Sequence, residues 1–298
     1  MNRVSKDHVI YAMSKDNQPV ITVEAGSQVV FETCDCFEDQ IKTANTHFSE
    51  LDWNRINPAT GPVFVKGAER GDILAVRIDK IDHNSQAVMV TGPNMGVIGD
   101  QLGENVVRII PVQGGKAQFS KEIEVPLNPM IGVIGTAPAG EAISCGTPDL
   151  HGGNMDCKLI KEGSTLFLPV NVAGALFALG DLHAAMGDGE VAVCGAEIAG
   201  EVTVTLSVIK DKKWPLPMIE TDTHVYTLAS EVQLDDAAST ATRNMVNLLE
   251  QESGISKHEA IALMSLVGNI QVCQVVDPKK TIRFEMPKSI LSKLKVSL

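Results

Sequence analysis

Asp181 and His183 stand two residues apart in Gly180-Asp181-Leu182-His183-Ala184-Ala185-Met186-Gly187-Asp188-Gly189-Glu190, directly after the apolar run 174–179. On an extended segment, residues two apart point the same way, so one carboxylate and one imidazole can reach a common ion or water. An upstream stretch, Asp149-Leu150-His151-Gly152-Gly153-Asn154-Met155-Asp156, repeats the pattern. Both read Asp-Leu-His, then four residues, then Asp. One Asp-x-His is more often a capped loop or a hydrogen-bonded histidine than a site. Two copies, each set among glycines, point to a pocket built from both. Carboxylates and imidazoles together suit zinc and other divalent ions, and an open catalytic site fits better than a finger-type zinc, because no Cys-x-x-Cys pair is present.

Three further groups belong to this chemistry. Glu190 follows Asp188-Gly189 and is placed to carry protons beside an ion, although a solvated loop carboxylate would look the same. Asp35, in Cys34-Asp35-Cys36, interrupts the apolar stretch 29–37, where a carboxylate is costly unless a metal, a hydrogen-bond network or an exposed sheet face receives it. Cys145 and Cys157 are candidate nucleophiles. Nearby carboxylates would raise their thiol pKa values, which favours an inert role. Nucleophile-elbow, Walker and dinucleotide-binding motifs are missing.

The elements that must hold these residues read mainly as strands. Short β-rich runs are expected over 20–24, 28–37, 61–66, 72–82, 87–91, 105–112, 117–120, 122–127, 130–137, 165–170, 175–179 and 201–210. Gly114-Gly115 marks a hairpin turn. In 201–210, Val202, Val204, Leu206 and Val208 alternate with Thr203, Thr205 and Ser207. The Gly- and acid-rich stretch 180–190 is expected as a loop opening from a buried strand. After Trp214-Pro215-Leu216-Pro217 the pattern changes. Asp235 or Asp236 would cap a helix ending at Gly254, and Ser256 with Glu259 forms a capping-box signature for a second helix to about Val267. Strands over 270–276 and 281–286 close the chain. The expected fold is mainly β with an α+β part: β-sandwich or barrel-like subdomains over 1–212, stacked with a smaller C-terminal α/β subdomain over 213–298. No Pro/Ser-rich linker separates the two, so they should pack as one unit.

Bulk properties exclude several classes. A chain of 298 residues with 44% hydrophobic and 21% charged residues is an ordinary globular composition. Its net charge of −12 argues against nucleic acid or an anionic membrane as partner. No apolar stretch approaches the roughly 18 residues of a membrane span. The polar N-terminus lacks the apolar centre of a secretory signal, and six unclustered cysteines do not form a disulfide scaffold, so the expected location is the cytoplasm.

The segment 180–190 resembles the signature of the acetamidase/formamidase family, and His151-Gly152-Gly153-Asn154-Met155-Asp156 is similar to its His-Gly-Gly-Asn-x-Asp segment. Asn57-Pro58-Ala59-Thr60-Gly61-Pro62-Val63-Phe64-Val65-Lys66-Gly67-Ala68 with Gly71-Asp72 matches its upstream β signature. Thr33-Cys34-Asp35-Cys36-Phe37 and Gln274-Val275-Val276-Asp277-Pro278 also have counterparts. Met186 stands where many members carry Gln, and Leu182 where a smaller residue is common; the chain also looks like the shorter branch of the family. The resemblance implies hydrolysis of a short aliphatic amide, such as formamide or acetamide, by a β-rich homodimer with a bound divalent metal. On that reading His183, Asp156 and Asp35, joined by His151 or Asp181, hold zinc or, second, calcium. Asp188 orients a ligating histidine, Glu190 carries the proton, and Asn154 hydrogen-bonds the substrate or oxyanion. Two alternatives stay open: an amidase with a cysteine nucleophile and a structural metal, and a catalytically silent metal-binding β-sandwich.

Overall fold

The computed structural model describes residues 2–296 and 298. Two large sheets carry the chain. The first has nine strands in the order Asn2–Val4, Ser27–Thr33, Gly200–Ile209, Ile73–His83, Thr165–Pro169, Met218–Glu220, His224–Glu231, Lys280–Pro287 and Asn269–Gln274. The second runs Glu124–Pro126, Lys116–Gln118, Val106–Gln113, Gln86–Thr91, Glu197–Ile198, Phe177–His183, Met130–Gly135 and Gly152–Asn154. Strand Ala59–Lys66 adds to it beside Phe177–His183. Neither sheet closes into a barrel among the described residues.

Alternation in sequence becomes the interface between the sheets. Val202, Val204 and Leu206 are fully buried, whereas Thr203, Thr205 and Ser207 on the opposite face are only partly covered. They join Phe31, Leu74 and Val76 of the first sheet and Ile131, Phe177, Leu179 and Leu182 of the second in one core. Phe31 meets Phe177 edge to face at 5.7 Å, the geometry aromatic quadrupoles favour. At the far edge of the second sheet, Gln113 pairs with Lys116 across Gly114 and Gly115, both at positive φ, as a two-residue hairpin turn requires.

The C-terminal third is α+β. α1 (Leu234–Ser253) and α2 (Lys257–Val267) pack on the last strands through Ala237, Ala241, Met245, Leu249, Ala260 and Met264. The capping box at Ser256 and Glu259 forms as expected, and Gly254 closes α1 at φ 72°. Asp235 and Asp236 lie inside the first turn of α1 rather than capping it. There their charges complement the positive helix end. Met218–Glu220 pairs with Thr165–Pro169, so the strands after residue 213 continue the first sheet.

One expected boundary moves. The buried strand does not stop at Leu179 but runs to His183, so Gly180-Asp181-Leu182-His183 is strand rather than loop. Ile131 and Met130 pair with Leu182 and His183 on one side, and Ile198 and Glu197 pair with them on the other. Pairing on both edges overrides the local loop signal of glycine and aspartate.

Candidate active site

All six residues of Met130–Gly135 and all seven of Phe177–His183 are buried, and both strands are paired along both edges. Gly152–Asn154 pairs with the other edge of Met130–Gly135, so the two Asp-Leu-His segments flank one strand. Gly132, on that strand, is the hinge of the arrangement. A Cβ there would fall 2.5 Å from Asp156 Oδ1 and 2.4 Å from Asp181 Oδ2. Only glycine lets the two carboxylates converge across it.

The convergence is on His183. Its Nε2 lies 3.2 Å from Glu197 Oε1, 3.5 Å from Asp181 Oδ1, 3.6 Å from Asp156 Oδ1 and 3.9 Å from Glu190 Oε1. Four buried carboxyl side chains thus surround one buried imidazole. Asp277, partly exposed, joins from the C-terminal third, where it accepts a hydrogen bond from Asn154 Nδ2 at 3.1 Å. Glu190 is brought in by the edge of the first sheet. Gly189 N–H donates to the Cys273 carbonyl, and Val275 N–H donates to the carbonyl of Gly189. Asp156, Asp181 and Glu190 all sit at positive φ, 43°, 58° and 47°. Non-glycine residues held there cost energy and concentrate at functional sites.

The charges do not balance. Burial, then neighbouring carboxylates, push Asp156, Glu190 and Glu197 well above the usual carboxyl range. Asp277 is pushed up to about 8, chiefly by burial. Burial would pull His183 down, but Asp181 and Asp156 raise it instead. Both Asp156 oxygens, Glu197 Oε2 and His183 Nδ1 are buried with no hydrogen-bond partner. Orphaned buried acceptors are costly, and a divalent cation would satisfy them while cancelling the surplus negative charge. Two groupings have their donor atoms within 4.8 Å of one another: Asp156, His183 and Glu190, and Cys36, Asp181 and Glu197. Oxygen donors with one imidazole suit zinc and related ions, so the residues fit a divalent metal.

The residues singled out in sequence divide between this cluster and other places. Asp156, Asp181, His183 and Glu190 meet, with Asn154 at their edge. His151 is buried with neither ring nitrogen hydrogen-bonded, and burial pushes it down to about 4. Among the described residues no candidate metal grouping includes it. Its neighbour Asp149 turns away to an ion pair with Lys279 at 2.7 Å. Asp35 stands outside both groupings. Its Oδ1 accepts the backbone N–H groups of Phe37 and Asp39, each at 2.9 Å, and closes a turn. Burial pushes its carboxyl up to about 6. The adjacent Cys36 takes the place at the cluster instead.

Asp188 is held by cations rather than facing a histidine. Arg283, 2% exposed, donates to both of its oxygens at 2.9 and 2.8 Å, and Lys158 approaches to 2.9 Å. This pairing anchors the loop that carries Glu190. Asp188→Asn should therefore cost about 2–3 kcal/mol of stability, less than a fully buried pair because Asp188 is partly exposed, and a denaturant midpoint measures it. Sequence reading missed Glu197, Asp277 and Cys36 as participants. A carboxylate inside the apolar run Ala196-Glu197-Ile198-Ala199 was the available signal for Glu197, the same cue that drew attention to Asp35.

The fold and cluster define a two-sheet protein with an acid-rich centre on fully buried strands of the second sheet. The chain belongs to the Acetamidase/Formamidase family, whose model matches residues 6–147 and 139–293. It is similar to an acetamidase of Bacillus halodurans, whose crystal structure superposes with a TM-score of 0.97 at 48% identity over 99% of this chain and all of that one. A recombinant predicted acetamidase/formamidase of Thermoanaerobacter tengcongensis superposes at 0.98 with 44% identity, covering 100% of this chain and 99% of that one. A formamidase-type protein of Schizosaccharomyces pombe is 25% identical in an alignment 257 positions long that covers 64% of this chain and 61% of that protein. The chain thus spans less than two thirds of that curated relative's length.

Proposed function

We propose that this protein hydrolyses the C–N bond of a short aliphatic amide, releasing carboxylate and ammonia, at the cluster around His183. The observation that carries the reading is four buried carboxyls on one imidazole, with unpartnered oxygens on Asp156 and Glu197, in a chain of this family. Relatives named formamidase, from Methylophilus methylotrophus, and acetamidase, from Mycolicibacterium smegmatis, support the substrate class. Asp156 and His183, with Asp181, Glu197 and Cys36 beside them, would hold a divalent ion, zinc first and calcium second. Such an ion, when bound, supplies Lewis-acid polarisation of the amide carbonyl and acidifies water.

The chain's own groups perform the remaining work. With a cation in the cluster to offset the burial that pushes its carboxyl up, Glu190 would take a proton from the attacking water and deliver it to the departing nitrogen, so one carboxyl serves as base and then as acid. Asn154 Oδ1, buried and unpartnered, accepts an N–H of the substrate amide, while its Nδ2 stays fixed on Asp277. The buried strands exclude bulk water, which strengthens each of these contacts.

The cysteine-nucleophile alternative has less support. Burial pushes the Cys145 thiol up to about 12. Cys157 is drawn down to about 7, despite burial, by Cys273 and Arg283, yet it is fully buried and faces that pair. A reactive thiolate needs access as well as a low pKa. Ammonia release from formamide, acetamide and propionamide tests the reading. Turnover that survives Cys145→Ala and Cys157→Ser nearly unchanged supports it. Loss of turnover in soluble, folded cysteine variants would transfer the chemistry to sulfur, and a zinc-loaded protein releasing no ammonia would favour the silent binder.

No helix among the described residues is long and apolar enough to cross a membrane. All six cysteines are free and buried, which supports a reducing cytoplasm as part of this proposal. Exposed Ile261 and Leu266 on α2, with Ile270 on the edge strand, support a homodimer.

A further inference from the structure

Beside the cluster lies a cavity of about 460 Å³ whose walls include Met89, Ile110, Phe119, Val125, Met186 and Val191. Glu190 and Gly195 also line it. Glu190 connects cavity and cluster, because it lines the cavity and its Oε1 lies 3.9 Å from His183 Nε2. At the outer end Phe119, Val125 and Val191 are 39%, 39% and 63% exposed, so the cavity opens to solvent there. One end is therefore acidic and buried, the walls are apolar, and the other end is wet.

This volume falls within the roughly 300–1,000 Å³ of pockets that enclose drug-sized ligands. Formamide and acetamide carry no group to cover such walls. Of the two acids on the wall, Asp188 is already paired with Arg283 and Lys158 and so asks nothing of a ligand, which leaves Glu190. Apolar walls leading to a proton-transferring carboxyl suit a substrate with a hydrocarbon tail and a polar head.

Resting on the proposed amide hydrolysis, we infer that the preferred substrates are primary amides with an apolar acyl chain of about four to seven carbons. The amide group sits at Glu190, and the chain lies along Ile110, Phe119 and Val125 toward the opening. Cleavage is the same balanced step: water adds to the carbonyl carbon, the C–N bond breaks, and the nitrogen leaves with a proton as ammonia. Each buried methylene is worth on the order of fourfold in kcat/KM, so hexanamide, with four more methylenes, should exceed acetamide by about 250-fold.

The test measures ammonia release from acetamide, butyramide, hexanamide and 6-aminohexanamide by the metal-loaded full chain. A rising series, with the gain lost when the chain ends in an ammonium group, is the expected result. Val125→Asp, at the exposed rim, should lower the hexanamide-to-acetamide ratio of kcat/KM by about tenfold by setting a charge against the tail. Acetamide cleaved as well as or better than hexanamide, or a ratio unmoved by Val125→Asp, overturns the inference and leaves amide hydrolysis standing. No ammonia from any of the four overturns both.

Discussion

Glu190→Gln should lower kcat for amide hydrolysis by about 10²- to 10⁴-fold, the usual span for loss of a positioned proton carrier. Glutamine keeps the shape and removes the ability to take and return a proton. The fold should tolerate the change, since burial first, and then the carboxylates of Asp156 and Glu197, already push Glu190 toward the neutral form that glutamine imitates. The informative readout is metal content beside turnover. If Glu190 acts on protons, the variant keeps its ion and loses kcat, with KM little altered. A variant that loses both would make Glu190 a ligand, in line with its place in the grouping with Asp156 and His183. A variant as active as the parent would remove Glu190 from the reaction.

The second large effect falls on His183. It is the sole imidazole in either grouping of candidate ligands, and its Nε2 is within 4 Å of all four buried carboxyls. His183→Ala removes that nitrogen and leaves the acids facing one another. Metal measured by elemental analysis should drop to background, and turnover should fall by about 10³-fold or more. That figure corresponds to the several kcal/mol a Lewis acid contributes, at 1.36 kcal/mol per decade. Removing the ion from the unaltered protein with a chelator should reproduce the loss, and added zinc should reverse it. An apo protein with full activity would contradict the assignment.

Much of the fold was legible because its strands alternate. The Val202, Val204, Leu206 face, the Gly114-Gly115 hairpin and the Ser256–Glu259 capping box each follow from local chemistry that nothing distant opposes. Part of the site was legible for the same reason. Asp181 and His183 lie on one strand, and two-residue spacing alone turns both side chains one way. Asp156 joins them through a strand pairing across Gly132, which the repeated Asp-Leu-His pattern hinted at.

What the chain concealed depends on distant partners. Arg283, 95 residues from Asp188, turns an apparent metal-site acid into half of an ion pair. Lys279 does the same to Asp149 over 130 residues. Asp277 reaches Asn154 across 123. At Cys34-Asp35-Cys36 the difference is one position, since Cys36 lies at the cluster and Asp35 folds back to cap its own turn. Parity cannot be read where the strand expected to Phe37 ends instead at Thr33, before these three residues.

The claim on which the rest depends is that a cation belongs among Asp156, His183 and their neighbouring acids. Anomalous diffraction from crystals of zinc-loaded protein, recorded above and below the zinc edge, tests it directly. The expected map has its strongest anomalous peak in contact with His183 and Asp156. A map with no peak there, from crystals of protein that still releases ammonia from amides, would contradict it.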